Sequence, residues 1–136
     1  NNVDFVCFAY GTNDWNFGAS AATVKAAMAY CFETLLTAYP KLRIYVLTPI
    51  YRYGLGTGEA YDSDEYTSPY SGLKLHEICE AIIEASHAAH VPCKDMYYES
   101  GFSQYNRATY YSDNTHLNAA GYAVFGEKVA KFIDGD

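Results

Sequence analysis

Apolar residues run almost unbroken through "VDFVCFAY" (Val3 to Tyr10) and again through "LRIYVLT" (Leu42 to Thr48). Runs of this kind, without polar alternation, predict strands buried on both faces of a parallel sheet. Between them Val24, Ala27, Met28, Cys31, Leu35 and Ala38 recur at helical spacing, and Pro40 closes the segment. A second stripe, Leu75, Ile78, Cys79, Ile82 and Ala89, predicts another amphipathic helix, followed by a short strand candidate in "VPCKDMY". Tyr122, Phe125, Val129, Phe132 and Ile133 mark the inner face of a last helix. Strands alternating with helices in this order predict an α/β fold, a parallel sheet with flanking helices and right-handed crossovers.

Three stretches follow neither period: residues 10–18, 49–72 and 97–117. The middle one exceeds twenty residues, unusually long for a connection in a compact domain, and is expected to be a lid, a binding loop or disordered. In an open parallel sheet the functional loops lie beyond the carboxyl ends of the strands. All three stretches are therefore expected on one edge of the sheet.

Composition narrows the class. The chain has 136 residues, 50% hydrophobic and 18% charged, enough for one core and too few for two ordinary domains. A net charge of -7 without any Lys/Arg cluster argues against nucleic acid as a partner. No apolar run approaches the roughly 20 residues of a membrane helix, and no signal-peptide pattern is present. Cys7, Cys31, Cys79 and Cys93 form no CxxC and read as reduced, small core hydrophobes, which leans towards a reducing compartment and leaves secretion open. Because a fully apolar strand follows so soon after Asn1, an N-terminal part of the domain is expected outside this chain.

The chemistry concentrates in "SDNTHLNAAGY", residues 112–122. A histidine base needs a partner that sets its tautomer, and a carboxylate three residues away in a loop entering a helix can supply one. The alternative is that Asp113 or Asn118 caps the last helix and His116 is an ordinary surface residue. The second stretch is "YGTND", residues 10–14, where Gly11 permits a sharp turn at the end of a strand and the Asn13 amide can donate to an oxyanion. The alternative there is an Asx-turn, and Asp14 is expected mainly to hold the loop.

Together, "AYGTND" after a buried strand and "SDNTHLNAAGY" leading into the last helix resemble the third and fifth blocks of the SGNH (GDSL-like) hydrolases. The resemblance implies a flavodoxin-like three-layer sandwich and a serine esterase or acylhydrolase. It implies that His116 is the general base, Asp113 its orienting acid, Asn13 an oxyanion donor and Gly11 the residue that shapes the oxyanion loop. The family's Gly-Asp-Ser nucleophile block and its second, glycine-bearing block do not occur in residues 1–136. The chain is accordingly expected to be the C-terminal part of a single domain, inactive alone, with the serine supplied by a missing N-terminal segment or a complementing chain. The central first strand of the family would also cover the apolar edge that "VDFVCFAY" otherwise exposes.

Tyrosine is over-represented, with 15 residues, many in the three loops. Amphipathic rings suit a sugar better than a lipid tail, so a carbohydrate ester is the expected substrate class and Trp15, Tyr51 and Tyr53 the expected contacts. Alternatively these rings pack the loops or form an oligomer interface. His87, His90 and Cys93 have a metal-compatible spacing, but the two histidines read as helix-end residues, and Asp62, Asp64 and Glu65 read as a solvated loop. No metal and no cofactor is called for. The competing function is a non-catalytic carbohydrate-binding or assembly module that retains the fold.

Overall fold

Three parallel strands, β1 (Phe5–Phe8), β2 (Arg43–Leu47) and β3 (Cys93–Lys94), pair in that order in the computed structural model, which describes residues 3–54 and 61–135. Val6 lies opposite Ile44 and Phe8 opposite Val46, and Val46 lies opposite Cys93. Strand periodicity sends Ile44 and Val46 to one face and Tyr45 to the other. On the first face α2 (Ala21–Ala38) and α3 (Leu75–Ala88) bury Val24, Met28, Phe32, Ile78, Cys79 and Ile82 against Ile44 and Val46. Phe8 meets Phe32 edge-on at 5.8 Å. On the second face α6 (Ala119–Asp134) sets Phe132 edge-on to Tyr45 at 5.5 Å, and the Tyr45 hydroxyl donates to the Ile133 carbonyl. The expected α/β layout, a parallel sheet between helices, is the observed one. Among the described residues no helix is long and apolar enough to cross a membrane.

Two expectations of burial need correction. β1 is not buried on both faces: Val3 is 65% and Phe5 39% exposed, and Cys7 is exposed as well, at the apolar edge that the missing strand was expected to cover. Among the described residues β2 is its only strand neighbour, and an apolar run encodes the environment a strand needs, not which neighbours supply it. Tyr122, placed on the inner face of the last helix by its spacing, is exposed. Gly121 contacts the preceding loop instead, which turns the next residue outward, so Val124 and Phe125 face the smaller core cluster of Tyr51, Phe102, Tyr111 and Leu117.

Gly121 is required by a close approach. A Cβ there would stand 2.3 Å from the Tyr110 carbonyl oxygen and 2.9 Å from Leu117 Cδ2. Overpacking costs roughly 1–3 kcal/mol, and the better helix propensity of alanine offsets about 1 kcal/mol of that. Gly121→Ala is expected to lower the thermal midpoint; an unchanged midpoint would show that α6 is not docked this closely. The helix start is otherwise well made: the Asn118 side chain accepts from Gly121 N at 3.0 Å, as Ser20 accepts from Thr23 N at 3.1 Å for α2, caps worth about 1 kcal/mol each.

The long loop after β2 is not a free lid in its described parts; residues 55–60 lie outside them. Ser63 Oγ accepts from Arg52 N at 3.1 Å and lies 3.0 Å from the Tyr97 hydroxyl, which donates to Asp64 at 2.6 Å. Because the Tyr97 proton goes to Asp64, Ser63 donates to Tyr97, and the chain of hydroxyls is complete. Asp64 thus ties the loop to Tyr97 outside it and is not merely a solvated charge. Trp15 Nε1 donates to the Leu73 carbonyl at 2.7 Å and fastens the far end.

Candidate active site

β1 leads into Gly11, whose φ of +121° is a conformation L side chains rarely adopt. A Cβ at Gly11 would also meet Ile82 Cδ1 at 2.7 Å and Pro49 Cγ at 3.0 Å. The following residues form a short helix, α1 (Thr12–Phe17), where the sequence suggested only a turn. Trp15 N donates to the Gly11 carbonyl, and Gly18 N and Ala19 N donate to the Asp14 carbonyl. Asp14 therefore holds the loop through its backbone, and no side-chain cap opens α1.

The segment before α6 is a closed loop. Tyr111 and Leu117 pair as an antiparallel bridge, and Ser112 donates through N and Oγ to the His116 carbonyl, at 2.9 and 3.3 Å. Inside it, Asp113 Oδ1 accepts from Thr115 N and His116 N, both at 2.6 Å, and Oδ2 lies 2.9 Å from His116 Nδ1. These bonds, the His116 backbone N–H first, then its ring and the Thr115 N–H, pull the Asp113 pKa down to about 2. An ionised carboxylate only accepts, so Nδ1 of His116 bears a proton, and in the neutral imidazole Nε2 is then the acceptor. By linkage, the stability contributed by this depressed pKa is present above the ordinary value of 3.8 and disappears as pH falls through about 2. Both side chains are more than half exposed, so that contribution is small.

Asn13 and His116 line one cavity of about 260 Å³, together with Tyr10, Thr12, Arg52, Thr115, Tyr122 and Phe125 among others. Its walls come from the ends of β1 and β2 and from the loop before α6, so the three loops meet on one edge of the sheet as topology requires. Gly11 stands outside the lining, at the turn that leads into it. No serine or cysteine is among the described lining residues.

The aromatic expectations need correction. Trp15 is completely buried in the main core and edge-on to Tyr66, and Tyr51 is buried against Tyr111; neither ring offers a stacking face. Tyr53 is half-buried with the Arg107 guanidinium 3.6 Å over its ring. The exposed rings on the cavity are Tyr10 and Tyr122. Sequence reading also missed Arg52, which is 3% exposed and bonded to Thr12 Oγ1 at 2.9 Å. Arginine is usually a surface residue, and "PIYRYG" contains no signal that this one is enclosed.

Residues 1–124 match the GDSL-like lipase/acylhydrolase family. No curated protein matches the chain. Solved structures share the fold: a Lactobacillus plantarum protein is 22% identical with a TM-score of 0.83, over 98% of this chain and 68% of its own. A peptidoglycan O-acetylesterase is 14% identical with a TM-score of 0.75, over 97% of this chain and 37% of its own. An aryl esterase of M. smegmatis is 18% identical with a TM-score of 0.69, over 98% of this chain and 61% of its own. Against another solved structure, 24% identical, the chain spans 64% of the relative's length. With the match running from Asn1 into α6, across both the Asn13 turn and the Asp113–His116 loop, the chain belongs to the GDSL-like lipase/acylhydrolase family.

Proposed function

We propose that these residues form the C-terminal part of an ester hydrolase acting by acyl transfer, with a serine nucleophile from a segment outside the chain or from a complementing chain. The observation that carries this reading is that His116, which lines the same cavity as Asn13, has its Nδ1 2.9 Å from Asp113 Oδ2. In the reaction the serine Oγ attacks the ester carbonyl while His116 Nε2 takes its proton, and Asp113 stabilises the imidazolium that results. The Asn13 amide donates to the oxygen that becomes negative. Collapse expels the alcohol, protonated by His116, and water then repeats the sequence on the acyl-enzyme.

The apolar edge of β1, unpaired among the described residues, supports a further strand there, and the lack of a serine among the described lining residues supports a nucleophile from elsewhere. On this reading residues 1–136 alone turn over no ester at an enzymatic rate. Exposed Tyr10 and Tyr122 on the cavity, with a peptidoglycan O-acetylesterase among the structural relatives, support a carbohydrate ester as the substrate class.

The test is turnover of a small aryl acetate by the full-length protein. Asn13→Ala is expected to lower kcat about 10²–10³-fold, the usual cost of one oxyanion donor, with KM little changed. No turnover of any small aryl or sugar acetate by the unsubstituted protein would overturn the reading in favour of a binding module.

A further inference from the structure

Arginine is almost never fully buried without a charged partner. Arg52 is 3% exposed, yet no carboxylate of a described residue stands within ion-pair distance of it. Its guanidinium instead spreads over three neutral oxygens. Nε donates to the Gly54 carbonyl at 2.6 Å, one terminal nitrogen to Thr12 Oγ1 at 2.9 Å, and the other to Thr115 Oγ1 at 3.4 Å. Thr115 Oγ1 in turn donates to the Gly54 carbonyl at 3.2 Å, which closes a ring of bonds. The guanidinium also lies 5.4 Å from the Trp15 ring centroid, and the Arg52 backbone is held by Ser63.

The two threonines are placed tellingly in the chain. Thr12 immediately precedes Asn13, and Thr115 immediately precedes His116. One planar, rigid fork therefore spans from the residue beside the oxyanion donor to the residue beside the base. Burial disfavours the cation and pulls its pKa down, with the Asp113 charge acting the other way. Apolar packing would fill such a space at less cost, whereas only a guanidinium reaches three acceptors in fixed directions.

We propose that Arg52 is a positioning residue, which through Thr12 and Thr115 holds the Asn13 loop and the His116 loop at one separation, so that oxyanion donor and base act as a unit. The proposal rests on the acyl-transfer reading of the site. It differs from a role in binding an anionic substrate group, which would appear in KM.

The test uses the full-length protein and a small aryl acetate. Thr12→Val and Thr115→Val each remove a hydroxyl acceptor while keeping shape. Each is expected to lower kcat by up to about 100-fold, the scale of a misplaced catalytic group, with KM within about twofold. Thr115→Ser, which restores the hydroxyl, is expected to recover most of that loss. Arg52→Lys, if it folds, should fall no further when combined with both valines. A folded valine variant with unchanged kcat, or a loss confined to KM, overturns the proposal. Side-chain amide NMR separates this from failure of the acyl-transfer reading. Thr115→Val is expected to shift the Asn13 Nδ2 resonances across the strap whether or not any ester is turned over, and an unmoved Asn13 amide also overturns it.

Discussion

His116→Ala in the full-length protein is expected to reduce kcat for a small aryl acetate by about 10⁶-fold, since removal of the base costs as much as removal of the whole nucleophilic unit. The fold should survive. The His116 side chain is 67% exposed and makes its side-chain bond to Asp113 alone among the described residues. The loop is held by groups other than the imidazole: Ser112 N and Oγ donate to the His116 carbonyl, Asp113 Oδ1 accepts from the Thr115 and His116 N–H groups, and Tyr111 bridges to Leu117. Alanine leaves all of these in place, so the thermal midpoint should stay near that of the unsubstituted protein, within the roughly 0.5 kcal/mol typical of surface substitutions. Turnover retained in a folded His116→Ala protein would exclude His116 as the base.

Asp113→Asn is the second large effect and the more diagnostic one. Asparagine keeps an oxygen able to accept from the Thr115 and His116 N–H groups, the two 2.6 Å bonds that shape the loop. Its amide nitrogen, however, would face His116 Nδ1 where the carboxylate now accepts at 2.9 Å. Two donors cannot share that position, so the imidazole switches tautomer and carries its proton on Nε2, where the serine proton must go. Loss of about 10⁴-fold in kcat is expected for such a switch, with substrate affinity and loop geometry preserved. Pre-steady-state acylation measures it directly. Acylation at the original rate in Asp113→Asn would mean that the carboxylate only caps its loop.

The alternation of apolar strands with helical stripes determined the element order, the parallel sheet and the edge on which the loops gather, because these follow from local periodicity and the handedness of crossovers. The Asp113–His116 pair was legible for a similar reason. Asp113 and His116 are three residues apart, and their contact is made within one short loop that needs little from the rest of the chain. Asn118 is a cap that sequence also suggested, and it coexists with the pair instead of replacing it.

Sequence left open what each side chain meets from distant segments. Trp15 and Tyr51 had the composition of binding residues and proved to be core, Trp15 because a carbonyl 58 residues away accepts its indole N–H. The Arg52 strap joins positions 40 and 63 residues away. Periodicity reports whether a residue wants burial, while its actual surroundings depend on contacts between elements far apart in the chain. Sequence alone therefore determined the sheet, its helices and the contact of Asp113 with His116; only the tertiary structure decided which aromatics are buried and that a buried guanidinium links the two loops that line the cavity.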